Sequence, residues 1–204
     1  MEAGIYFAFI VLSVAVLVFP GPSILLIVAN GLQRGVAVGM YTVAGGLVAM
    51  LVQLLVAIAG LTSVESIFDG GFASVRWVGV AYLLYLGVQR WRGHAQGELR
   101  GWSIRTYRSA VIDGFIVALT NPGTMLFFVA FFPQFLNEAL PTGPQLVLMA
   151  GTFMVLTTLV DSSYAVLSAR IGQRLHKPGP SKARNRLAGA ILMAAAIALA
   201  LVNF

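Results

Sequence analysis

Asp161 is the one acid set deep in an apolar stretch of this chain, within "LTTLVDSSYAVLSA". A carboxyl at that depth of a membrane helix costs about 2.5–3.5 kcal/mol, so it faces a partner or water and marks a functional position by default. Thr157, Asp161, Tyr164 and Ser168 recur at i, i+4, i+7 and i+11, which places them on one helical face. Two chemistries suit that face. Asp161, with Tyr164 near it, could carry a proton, because a carboxyl withdrawn from water can exchange one near neutrality. It could instead pair with the ammonium of a small molecule. A structural reading also stands, in which neighbouring hydroxyls bond the carboxyl and lock the helices together. Asp113 lies five residues past Arg108; pairing with loop arginines accounts for it, and it is also a candidate gate.

The second source of chemistry is bare backbone. "FPGPSILLIVANG" at 19–31 sets Pro20, Gly21 and Pro22 inside an apolar stretch, and "ALTNPGTMLFF" at 118–128 does the same with Asn121, Pro122 and Gly123. Proline removes a donor and clashes with the preceding turn, so both stretches are expected to be interrupted helices. Peptide groups freed there find no partner in lipid and are tolerated only where protein, water or a ligand supplies one. A half-helix N-terminus also carries partial positive charge that holds a carboxylate. Candidate binding residues are therefore Pro20, Gly21, Pro22, Ser23 and Asn30 in the first stretch, and Asn121, Pro122, Gly123 and Thr124 in the second. A substrate carboxylate is expected to face the amides near Gly21–Ser23 and Gly123–Thr124. Thr42, Gly46, Ala49 and Gln53 form a small and polar stripe of the kind that packs helices closely, which leaves Gln53 a weaker candidate.

The elements that must position these groups are membrane helices. Of 204 residues 59% are hydrophobic and 10% charged, whereas a soluble domain carries about a quarter charged residues. Apolar segments at roughly 4–31, 39–61, 72–89, 110–136, 145–168 and 187–204 predict an all-α bundle of six transmembrane helices. Loop charge sets the orientation. Arg34 lies in the first loop; Arg90, Arg92, Arg100, Arg105 and Arg108 in the third; Arg170, Arg174, Lys177, Lys182, Arg184 and Arg186 in the fifth. These are twelve of the thirteen Lys and Arg residues, and all fall on one side, leaving Arg76 opposite. Cytoplasmic loops collect Lys and Arg, so both termini are expected on the non-cytoplasmic side. The net charge of +6 is thus a topology signal with scope to grip lipid headgroups, and it does not point to nucleic acid. Trp77, Trp91 and Trp102 sit near helix ends, as interfacial aromatics do.

The chain reads as a single transmembrane domain over 1–204, with half repeats of about 1–91 and 109–204 joined by a basic cytoplasmic loop. Each half holds three spans, so the halves cross the membrane in opposite senses, and spans one and four occupy equivalent places. Pro22 precedes Arg34 by twelve residues and Asn121 follows Arg108 by thirteen. At about 1.5 Å per residue both interruptions lie roughly 18–20 Å from the inner boundary. Interrupted helices at matching places in two inverted halves are the sequence pointer to a transporter's binding site. Ala190, Ala194 and Ala198 give the last span a small-residue face suited to a helix contact or a homodimer. There is no cysteine, no P-loop motif, no zinc-protease motif and no histidine within a span. An enzyme, an ATPase, a metal site and a bound cofactor are therefore not expected.

Three stretches carry a resemblance: "FPGPSILLIVANGLQRGVAVGMYTVAGG", "VRWVGVAYLLYLGVQRWR" and "LTNPGTMLFFVAFFPQFL". Together with Asp161 and Tyr164 ahead of the basic fifth loop, they resemble the LysE/RhtB translocator family over nearly the whole chain. The resemblance implies secondary active, proton-driven efflux of amino acids or related small metabolites across the bacterial inner membrane. A channel for small polar solutes and a non-transporting scaffold or accessory subunit are the alternatives. One departure is local: the family commonly has N-P-K where this chain has Asn121-Pro122-Gly123, which shifts the holding of a carboxylate onto backbone donors or signals a different substrate.

Overall fold

A computed structural model describes residues 2–60, 71–92, 104–121, 124, 127–128, 131–137, 139–174 and 182–201. Among these residues the chain is all-helical, with α1 (Ala3–Val18), α2 (Pro22–Arg34), α3 (Val36–Gly60), α4 (Gly71–Trp91), α5 (Ile104–Leu119), α6 (Thr142–Arg174) and α7 (Lys182–Leu201). A short 3-10 turn at Phe132–Phe135 lies between α5 and α6. The helices fall on the six apolar stretches, the first stretch supplying both α1 and α2. α3 and α6 are each long and apolar enough to cross a membrane, and α1 with α2 qualifies as one span bent by 56°.

Several boundaries differ from expectation. α5 begins at Ile104, α6 runs to Arg174 and α7 begins at Lys182, so helix extends into the basic loops. Arg105, Arg108, Arg170 and Arg174 ride on these extensions, since an α-helix satisfies its own backbone as well in the headgroup region as within lipid. At 33 residues α6 is about 50 Å long, longer than the hydrocarbon thickness.

The α1–α2 interruption follows from local chemistry. Pro22 has no N–H to donate and takes the first helical position of α2, with Gly21 as an extended N-cap. Phe19 is likewise extended, and its N–H closes α1 on Val16 O at 3.2 Å. At the far end of α2, Gly35 turns the chain into α3 with φ 85°, a conformation that side chains resist.

Packing runs inside-out. The buried face of α6 carries Gln145, Met149, Phe153, Thr157, Asp161, Ala165, Ser168 and Gly172, while Val155, Leu159, Leu167 and Ile171 are exposed. An apolar outer face around a partly polar seam is stable against lipid and costly against water. α3 lies on α5 and on α6, α2 on α6, and α4 on α7. Rings of Phe9, Phe128, Phe132 and Phe153 fill one end of the bundle in edge-to-face contacts. Leu26, Leu83, Val117 and Leu192 join α2, α4, α5 and α7. Arg186 stacks over the Trp91 ring at 6.0 Å, a cation–π tie between α4 and α7 on the basic side. Of the alanines expected to make a helix or dimer contact, Ala190 is half-buried and Ala194 exposed; the side chain of Ala198 lies outside the described residues.

The α3–α5 crossing depends on two glycines. A Cβ on Gly45 would strike the Val111 carbonyl, and one on Gly114 the Thr42 carbonyl. With no hydrophobic force between helices in lipid, such close backbone approach is the main source of association. Gly114→Ala is therefore expected to destabilise the protein by about 1–3 kcal/mol through overpacking. Gly151→Ala, where the added methyl meets nothing within 4 Å, gains helix propensity instead. Thermal unfolding in detergent checks this: Tm falls for Gly114→Ala and holds or rises for Gly151→Ala, and equal shifts would remove the close-approach argument.

Candidate functional site

The interruption between α1 and α2 opens onto a cavity of about 310 Å³, walled also by α3, the end of α5 and α6. Its surface brings together Gly21, Pro22, Ser23, Asn121, Thr124 and Asp161 from the expected set. Gln53, Thr42, Gly46 and Thr157 join them, with apolar walls from Leu17, Ile24, Ile27, Met50, Phe127 and Phe153.

The freed backbone groups have been shared out. No side chain caps α2, whose first intrahelical bond runs from Leu25 N–H to Gly21 O at 3.0 Å. The Ser23 and Ile24 amides therefore precede the helical ladder at a cavity-lining N-terminus, and Pro22 has no amide to satisfy. On the other side of the interruption, the Tyr164 hydroxyl of α6 donates to Val18 O at 2.8 Å. The end of α5 is treated in a similar way from a different helix. The Gln53 amide nitrogen on α3 donates to Ala118 O at 3.1 Å and Leu119 O at 3.2 Å, and reaches Asn121 O at 3.4 Å. Asn121 N–H turns back to Ala118 O at 3.1 Å, tightening the last turn.

Asp161 has the most exacting environment. It is 8% exposed, lines the cavity, and its carboxyl has no hydrogen-bond or ion-pair partner among the described residues. The hydroxyls that could have locked it into the packing do not bond it: Ser168 bonds back to Ala165 O at 3.1 Å, and Thr157 Oγ1 is buried without a partner. Gln53 Oε1 is buried and unpartnered as well. Gln53, Thr157 and Asp161 thus line one cavity.

Other candidates sit off the cavity. Asn30 is fully buried and donates to Thr42 Oγ1 at 2.7 Å, tying α2 to α3. Tyr164 reaches the α1 terminus and makes no bond to Asp161. Pro20 is exposed beside the interruption. Asp113 accepts the Tyr82 hydroxyl at 2.7 Å and lies within electrostatic reach of Arg34, so it joins α5 to α4 and to the end of α2. Pro122 and Gly123 lie outside the described residues.

Gln53 is the residue that sequence reasoning undervalued. Its place in a small-residue stripe pointed to packing, yet an amide with two donors is the natural partner for carbonyls freed at a helix end. The signal was its solitude as the one strong hydrogen-bonding amide in an otherwise apolar span.

Residues 14–202 match the LysE type translocator family. A membrane protein of Vibrio cholerae serotype O1, described as uncharacterized, is 27% identical over 98% of each chain. The homoserine/homoserine lactone efflux protein of Salmonella typhimurium is 28% identical over 92% of each. The leucine efflux protein of Salmonella typhimurium is 29% identical, covering 80% of this chain and 76% of the relative. No solved structure matches. A bundle with an apolar outer face, a bent first span and a partly polar interior cavity is what a membrane carrier needs, and with a match over almost its whole length the chain belongs to the LysE type translocator family, membrane transporters and not enzymes.

Proposed function

We propose that this protein is a proton-coupled exporter of amino acids or closely related small metabolites, with its substrate held in the cavity between α1, α2, α3 and α6. The observation that carries the reading is the buried, unpartnered Asp161 facing the same space as the uncapped N-terminus of α2. A zwitterion answers both: its carboxylate meets the Ser23 and Ile24 amides, and its ammonium meets Asp161. The efflux relatives named for homoserine, its lactone and leucine lend support.

Six spans in two inverted halves, about 1–91 and 109–204, organise the site. The pairing of helices accords with this: span one lies on span five through α2 and α6, and span four on span two through α5 and α3. The Tyr164 and Gln53 bonds follow the same exchange, each tying an interrupted span to the other half of the chain. Both termini face outward and the basic loops face the cytoplasm of a bacterial inner membrane. Asp161 releases its proton and accepts the ammonium in alternation. One charge moving through 100 mV supplies about 2.3 kcal/mol, more than the roughly 1.4 kcal/mol that each tenfold gradient requires. At the cytoplasmic end, Asp113 with Arg34 and Tyr82 is placed to serve as an inner gate.

Two outcomes test this reading. In inverted membrane vesicles energised to an acidic interior, wild-type protein should drive uptake of labelled amino acid, and Asp161→Asn should lower gradient-dependent uptake at least about tenfold while still inserting. Undiminished uptake in the variant would show that Asp161 carries neither proton nor ammonium. Gln53→Leu strips the donor from three carbonyls and is expected to cost about 1–3 kcal/mol, with Tyr164→Phe costing about 0.5–1.5 kcal/mol. Thermal unfolding alongside transport rate measures both, and unchanged values would mean that the interruptions do not rely on these ties.

A further inference from the structure

Resting on the amino-acid reading above, the charge inventory of the cavity narrows the substrate further. Asp161 is the single ionisable residue among the described residues that line the space. Among the described residues the cavity wall therefore carries one acid and no base, with Gln53 and Thr157 as polar neighbours of that acid on the same wall. A single α-ammonium supplies the one counter-charge that this wall calls for. The remainder of the wall comprises Leu17, Ile24, Ile27, Met50, Phe127 and Phe153, which offers a side chain dispersion contacts and no counter-charge.

We infer that the cavity selects amino acids with an uncharged, apolar side chain and rejects those bearing a second charge. A side-chain ammonium or carboxylate would be stripped of water against these walls and left unpaired, which low-dielectric surroundings penalise heavily. Loss of either main-chain charge is penalised in turn, by leaving Asp161 or the α2 amides without a partner.

The test uses purified full-length protein in proteoliposomes, with counterflow of labelled leucine challenged by unlabelled compounds. Leucine should compete at a concentration at least tenfold below lysine, glutamate and 4-methylpentanoate, the last lacking an ammonium. In Asp161→Asn, read by thermal shift instead of counterflow, the concentrations at which leucine and 4-methylpentanoate raise the Tm should come within threefold of each other. Lysine or glutamate competing within threefold of leucine on the wild type overturns the selectivity and leaves the exporter reading intact. If instead no amino acid supports counterflow or raises the Tm of the wild type, the exporter reading itself falls, and this inference with it.

Discussion

Every peptide group placed inside a bilayer needs a hydrogen-bond partner, and much of the interior of this protein is arranged around that demand. An unbroken helix meets it internally. Between Val18 and Pro22 the helix cannot, because proline has no donor and its ring excludes the preceding turn. The consequences are then distributed: Pro22 removes one amide from the account, Tyr164 takes the Val18 carbonyl, and the Ser23 and Ile24 amides are left at the cavity. At the end of α5, Gln53 takes carbonyls while Asn121 N–H tightens the last turn. Carbonyls are thus satisfied from other helices while α2 amides border open space. That asymmetry leaves a helix N-terminus at a cavity that has no basic side chain among the described residues lining it.

Close helix packing makes this distribution possible. Gln53 can reach the end of α5 only because α3 and α5 cross at backbone distance, and Gly45 and Gly114 are what allow it. The Asn30–Thr42 bond joins α2 to α3 beside the same region. Small residues and buried amides are therefore parts of one construction. Together they hold the cavity walls in register, while large aliphatic side chains are turned to the lipid, where they have no specific partner to find.

Charge is used sparingly in the interior and freely at the margin. Twelve of thirteen basic residues fall in the loops that the sequence assigns to one side, the pattern expected where membrane insertion sorts charge along the chain. Asp161 was equally legible, since a lone acid in a long apolar stretch is costly wherever it points. Less legible were roles that depend on a neighbour's backbone. Asn30 and Ser23 share a helical face in sequence, yet Ser23 lines the cavity and Asn30 is buried against Thr42. Tyr164 shares a face with Asp161 but its long side chain carries its hydroxyl to a different helix.

The sequence by itself determined that this chain is a helical membrane protein, that the first apolar stretch is interrupted at Pro20–Pro22, and that one acid lies within. Those properties follow from composition, hydropathy period and the missing donor of proline, all of which act locally along the chain. Only the tertiary structure decided that Gln53 and Tyr164 take up the carbonyls at the ends of α5 and α1, that Asp161 has no partner among the described residues, and that the α2 terminus and Asp161 line one cavity. Each of these depends on which helices cross and at what distance. That is set by contacts between residues far apart in sequence, for which a one-dimensional pattern carries no direct record.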